Sequence, residues 1–158
     1  MDPLPIHTMI CLVCWSFWLF PFCASSGSRL LPDKPLSAGS TITSDDGTFA
    51  LGFFSPSSSG IKHYYVGIWY KNIPQDNILW VANRAMPIAD PSSATLALTK
   101  EFNLALSDTN GQLLWTTNIS ATGNSSSEAT GGEAMLDNNG NFILRSSKGI
   151  ILWQSFQV

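Results

Sequence analysis

Few side chains in this sequence are of the types that do covalent or acid–base chemistry, and most of those stand alone. The only histidines are His7 and His63, and the three cysteines, Cys11, Cys14 and Cys23, all lie near the amino terminus. Cys11 and Cys14 have the spacing of a metal or redox pair, but a zinc site needs further ligands. No second pair follows, and the surrounding segment is apolar. Asp45 and Asp46 are adjacent carboxylates, the raw material of general acid and base catalysis. Neighbouring residues of a strand face opposite ways, however, and Asp46 precedes Gly47, a pairing favoured in turns. No Ser-His-Asp set, metal-ligand cluster or glycine-rich phosphate loop can be assembled. The chain is expected to be no enzyme and to need neither metal nor cofactor.

Composition narrows the remaining classes. With 158 residues the chain has room for one domain. Charged residues make up 12% and the formal net charge is −3, so a basic stripe for nucleic acid is absent. Met9 to Phe22 contains no charged residue. That run is shorter than the roughly 20 residues a membrane helix needs, and it fits the apolar part of a secretory leader. The small residues from Cys23 to Ser28 supply a cleavage region, although the first eight residues hold no Lys or Arg. Residues 1–26 are therefore expected to be a signal peptide and 27–158 the domain. Such a mature chain has no thiol and no membrane span, and is secreted. Two glycosylation acceptors, Asn118-Ile-Ser120 and Asn124-Ser-Ser126, fall in or beside a Ser/Gly/Thr-rich stretch that reads as an exposed loop.

The elements that must position any site are strands. From Ser40 onward, β-rich runs alternate with turn clusters about every ten residues, the pattern of an all-β fold. Strands are predicted at 48–54, 64–70, 78–83, 95–99, 104–107, 113–117, 133–136, 141–145 and 151–154. Asp46-Gly47, Asn110-Gly111 and Asn139-Gly140 supply the positive φ angles of tight hairpin turns. Ile78-Leu79-Trp80, Leu113-Leu114-Trp115 and Ile151-Leu152-Trp153 repeat one pattern, with tryptophan spacings of 35 and 38. Phe102–Leu106 and Gly140–Leu144 precede the last two of these, and Gly47–Leu51 is the matching run before the first. The longer gap in the first unit predicts an insertion over about Ser55 to Asn77. Three hairpin units that cannot bury an apolar face alone imply three small sheets around one core. Trp80, Trp115 and Trp153 are assigned to that core rather than to a sugar-stacking surface.

Four stretches carry a family resemblance: Ser44-Asp45-Asp46-Gly47-Thr48-Phe49-Ala50-Leu51-Gly52-Phe53-Phe54-Ser55-Pro56, Tyr65-Val66-Gly67-Ile68-Trp69-Tyr70, Trp80-Val81-Ala82-Asn83-Arg84 and Leu152-Trp153-Gln154-Ser155-Phe156. Together they resemble the bulb-type lectin domain of plant S-domain (G-type lectin) receptor-like serine/threonine kinases. The likeness implies an all-β, type II β-prism of three four-stranded antiparallel sheets with pseudo-threefold symmetry. It also implies an extracellular carbohydrate- or ligand-recognition module, on the outer face of the plasma membrane where it is part of a longer receptor. Receptors of this kind continue beyond the Trp-Gln-Ser-Phe motif into further modules and a kinase, whereas this chain ends at Gln157-Val158, so the domain reads as truncated at its C-terminal end.

Mannose-binding members of the wider family carry Gln-x-Asp-x-Asn-x-Val-x-Tyr along one strand. The corresponding residues in the third unit are Asp137, Asn139, Asn141, Ile143 and Arg145, expected on one face. The second unit offers Thr99, Glu101, Asn103, Ala105 and Ser107. The motif is degraded in both, and an Asn in place of Asp removes a charged acceptor, which forms the stronger hydrogen bonds. The implied partner is a mannose-type glycan. The alternative is a protein or peptide ligand, with pairing to receptor ectodomains in homo- or heterodimers.

Overall fold

The computed structural model describes residues 27–56, 62–73, 77–119 and 132–156. The predicted signal peptide and Asn124 lie outside the described residues. Twelve strands form three antiparallel four-stranded sheets. Sheet I orders β3 (Thr41–Thr43), β4 (Phe49–Phe54), β5 (Tyr65–Tyr70) and β6 (Ile78–Val81). Sheet II orders β2 (Leu36–Ser37), β7 (Ala94–Leu98), β8 (Leu104–Asp108) and β9 (Leu113–Thr116). Sheet III orders β1 (Arg29–Leu30), β10 (Gly132–Leu136), β11 (Phe142–Ser146) and β12 (Ile151–Gln154). One short 3₁₀ turn, Pro91–Ser93, is capped by the Asp90 carboxylate.

All nine expected strands are present, and three short ones precede them. The segment from Arg29 to Thr43 gives each sheet its first strand in turn, delivering one buried aliphatic to each: Leu30, Leu36 and Ile42. These strands are two or three residues long, too short to display a period of two. Inward-facing side chains of all three sheets then form one continuous core that includes Leu51, Ile68, Leu96, Leu106, Leu136 and Leu144. β7 shows the strict alternation of a strand with one face buried.

The Leu-Trp pairs break that alternation, and a bulge explains it. Register shifts occur beside Ile68/Trp69, Leu106/Ser107 and Leu144/Arg145, at equivalent places in the three sheets. A bulge sets two residues of one strand against one of its partner. Both residues of each pair thereby reach the core: Leu79 with Trp80, Leu114 with Trp115, Leu152 with Trp153. The three indoles meet each other edge to face, every pair of ring centroids 5.7 Å apart, with interplanar angles of 76°, 63° and 70°. They join the three sheets at the pseudo-threefold axis.

Two expectations are corrected. The extra length of the first unit is not an inserted hairpin but lies in its two connections, 55–64 and 71–77, which are longer than 99–103 and 109–112 of the second unit. Trp80 pairs with Ile68 of β5, as Trp115 pairs with Leu106 of β8 and Trp153 with Leu144 of β11. The counterpart of β8 and β11 is therefore β5, and Gly47–Leu51 opens the strand equivalent to β7 and β10. Apolar alternation does not distinguish the two central strands of a sheet, so the earlier one was paired with the tryptophan. The Asn-Gly hairpins also differ in type. Only the glycines have positive φ, +79° at Gly111 and +78° at Gly140. Gly111 N–H donates to the Asp108 carbonyl and Asp108 N–H to Gln112, with the same pair of bonds at Asp137–Asn141. That is a three-residue loop closed by a glycine bulge rather than a two-residue turn.

In the β3–β4 turn the Asp46 carboxylate accepts from the Ser44 hydroxyl at 2.6 Å and from the Thr48 N–H and hydroxyl at 3.0 and 2.7 Å. Its N–H donates to the Asn138 side-chain oxygen, tying this turn to the β10–β11 turn. The Ser44 hydroxyl bond, with help from the Thr48 N–H and hydroxyl, holds the Asp46 pKa below the ordinary carboxylate value. A depressed pKa contributes stability that is complete above the unfolded value, about 3.9, and is lost as pH falls through the folded one. Melting temperature is expected to drop more steeply below about pH 4 in the parent than in Asp46→Asn. Identical slopes for the two proteins would refute the role given to this carboxylate.

Candidate functional site

Alternation along sheet III sends Leu30, Ala134, Leu136, Phe142 and Leu144 inward. The outward residues form two cross-strand rows. Arg29, Met135, Ile143 and Gln154 lie opposite one another from β1 to β12, and Glu133, Arg145 and Ile151 make the adjacent row. Glu133 sits between two guanidinium groups, 3.1 Å from Arg29 Nε and 4.0 Å from Arg145 Nε. Arg145 Nη2 donates to the Met135 sulfur, and its buried Nε has no hydrogen-bond partner. A recess of about 460 Å³ beside this row is lined by Gly132, Glu133, Arg145, Ser146, Ser147 and Gly149.

Of the five residues expected to form a stripe in this unit, two lie on β11. Ile143 and Arg145 are outward-facing residues of β11, and Asn141 immediately precedes that strand. Asp137 and Asn139 belong to the turn. Asp137 Oδ1 accepts from the N–H groups of Asn139 and Asn141 at 2.9 and 2.8 Å, so this carboxylate shapes the loop. The Asn141 carboxamide is engaged as well. Its oxygen accepts from the Ser155 hydroxyl at 2.9 Å and the Phe156 N–H at 3.1 Å, while its nitrogen donates to Gln154.

Sheet II repeats the latch. Asn103 Oδ1 accepts from the Ile119 N–H at 2.6 Å and the Thr117 hydroxyl at 3.2 Å, and Thr117 Oγ1 in turn accepts from Leu104 N–H. Ser155 makes the matching bond to Phe142 N–H, and in sheet I the Asn83 carboxamide does so for Val66 N–H. Both asparagines thus fasten the strand that carries the tryptophan to its neighbour. Glu101 is exposed in the β7–β8 turn. The outer rows of sheet II hold the small residues Thr95 and Ser107, Ala97, Ala105 and Thr116, with the exposed Leu113 opposite Ser107.

The outer face of sheet I is closed by rings. Gly52 and Gly67 pair directly across β4 and β5, leaving a trough with no side chains. Trp69 covers Gly52 and Phe54 covers Gly67, and both rings are buried together with Ala50, with Tyr65, Ile78 and Val81 packed around them. The rings of Phe54 and Trp69 lie 6.2 Å apart and those of Phe54 and Tyr65 5.9 Å apart. The sequence signal for this second cluster was available: a glycine in each of two adjacent strands, each with an aromatic residue two positions later.

Among the described residues no group of three His, Cys, Asp or Glu side chains converges to hold a metal ion. No helix among them is long and apolar enough to cross a membrane.

Three antiparallel sheets around a tryptophan-centred axis define the class of the molecule, a lectin-type β-prism. Two solved structures share the fold: a Marasmius oreades lectin (TM-score 0.57, 17% identity, covering 82% of this chain and 90% of that one) and a monomeric mannose-binding lectin of Gastrodia elata (0.56, 16%, 81% and 96%). Residues 77–158 match the D-mannose binding lectin family, and the chain belongs to it. Among curated proteins it is similar to the G-type lectin S-receptor-like serine/threonine-protein kinase At1g61550 of Arabidopsis thaliana, 39% identical over 133 residues. It is 42% identical over 138 residues to another, At2g19130, from the same plant. Each match covers 84% of this chain but 16% of the relative, so the chain spans about a sixth of their length. The matched region is the lectin domain, which is not catalytic; the relatives' kinase domain lies outside it.

Proposed function

We propose that this chain is an extracellular carbohydrate-recognition module and that it binds through the outer face of sheet III. The observation that carries this reading is the difference between the three outer faces of a prism that belongs to a mannose-binding lectin family. Aromatic rings fill the face of sheet I, and small side chains with one exposed leucine, Leu113, occupy that of sheet II. Sheet III alone combines charged groups, an amide and aliphatic surface beside a recess. Saccharides present hydroxyl groups and C–H faces together, and that mixture suits them. The leader at residues 1–26 directs the domain to the exterior, and Asn118 carries a glycan. Exposure of Asn118 supports that modification.

A second reading, a protein- or peptide-recognition module that pairs with receptor ectodomains, draws on the two asparagine latches. The carboxamides that would meet mannose are engaged within the fold. A glycan array separates the two readings. Binding of mannose-type or other oligosaccharides is expected, with at least fivefold weakening by Ile151→Glu at the exposed aliphatic part of the face. Absence of glycan binding, with dimerisation seen by sedimentation, would establish the second reading instead. Asn141→Ala and Asn103→Ala are poor binding probes. Each is expected to lower stability by about 1–3 kcal/mol, because buried donors lose their acceptor.

A further inference from the structure

We propose that Arg145 fits the sheet III recess to a carboxylate-bearing sugar, a uronic acid, in preference to its neutral counterpart; this rests on the sheet III reading above. Three observations carry it. First, Arg145 is short of acceptors. Glu133 lies nearer to Arg29 than to Arg145, the sulfur of Met135 is a weak acceptor, and the buried Nε has no hydrogen-bond partner. The Nε is sealed from the surface, but the side chain is 35% exposed, and a guanidinium's terminal nitrogens form a fork matched by the two oxygens of a carboxylate. Second, Arg29, Arg145 and Glu133 leave a local excess of one positive charge on a chain whose formal net charge is −3. Third, the recess is open and borders an apolar surface. Gly149, beside which nothing stands within 4 Å of a would-be side chain, keeps its rim low, and the exposed Ser147 borders it. Ile151, opposite Arg145 on β12, and its neighbour Ile150 are 54% and 46% exposed, an apolar surface for the C–H face of a ring.

The test compares glucuronate- and galacturonate-terminated oligosaccharides with their glucose and galactose counterparts, by titration calorimetry on the purified chain. The acidic sugars are expected to bind at least about tenfold more tightly at low salt, with the difference shrinking at high salt. Arg145→Met is expected to remove the preference, so that acidic and neutral sugars then bind alike. Should that variant fold poorly, Ser147→Glu places a like charge at the exposed rim and is expected to abolish the preference too. Equal binding of acidic and neutral sugars by the parent would overturn the proposal and leave the lectin reading standing. So would a preference that survives both substitutions. No binding of any sugar would remove the lectin reading as well.

Discussion

Replacing Trp115 with alanine is expected to destabilise the fold by about 3–5 kcal/mol, the range for truncating a large aromatic in a core. Two effects add to the lost burial. The ring makes edge-to-face contacts with both Trp80 and Trp153 at 5.7 Å, each worth roughly 0.5–1.5 kcal/mol. It also supplies sheet II's share of the only ring contact that joins all three sheets among the described residues. Once one indole is missing, the other two keep a single mutual contact. The double variant Trp115→Ala/Trp153→Ala is therefore expected to cost less than the sum of the single ones, by about 0.5–3 kcal/mol as for other touching pairs. Urea denaturation of the parent, both single variants and the double variant measures this directly. Strict additivity would mean that each tryptophan serves only its own sheet.

The threefold plan was legible because the tryptophan pattern survives in all three units, and because turn residues punctuate the strands. What escaped was set by contacts between units rather than within them. Leu30, Leu36 and Ile42 are core residues of strands too short to carry a period; Leu30 and Leu36 are placed by pairing with strands far along the chain, while Ile42 pairs with Leu51 in the next strand. The Ile-Leu-Trp runs look like an error of alternation until the bulges are seen. At the site, counting every second residue backwards from Arg145 assumes a strand that reaches Asp137. The Asp137–Asn141 loop interrupts it, because an aspartate that caps two following N–H groups and a glycine at left-handed φ close a turn there. Short-range hydrogen bonding of that kind competes successfully with strand continuation. The ionic row of Arg29, Glu133 and Arg145 draws on three strands from opposite ends of the chain. No local pattern could announce it.

Gly140→Ala is expected to cost about 2–4 kcal/mol, and Gly111→Ala only about 1, although the two glycines share a φ near +80° and close the same kind of turn. The left-handed backbone penalises any side chain at either position. The difference lies in what surrounds them. A methyl group at Gly111 meets nothing within 4 Å, whereas at Gly140 it would stand 2.8 Å from two ring carbons of Phe49. Phe49 is a buried residue of sheet I, so the collision falls at the junction of two sheets. The next junction inverts the arrangement. Phe102 occupies the turn position equivalent to Gly140, with φ +57°, and its ring lies over Gly132, the counterpart of Phe49 at the head of β10. One ring and one glycine meet at each of these corners, on exchanged sides. Phe102 thus accepts a left-handed conformation that other residues avoid, at a cost of roughly 1–2 kcal/mol, offset by what its ring covers. For a domain of this size each kcal/mol shifts the melting temperature by about 3–5 °C. Thermal melts of the two alanine variants should therefore differ by several degrees, and Phe49→Leu in the Gly140→Ala background should recover part of the loss. Equal melting temperatures for Gly111→Ala and Gly140→Ala would show that backbone strain alone governs these turns, and that the ring of Phe49 yields without cost.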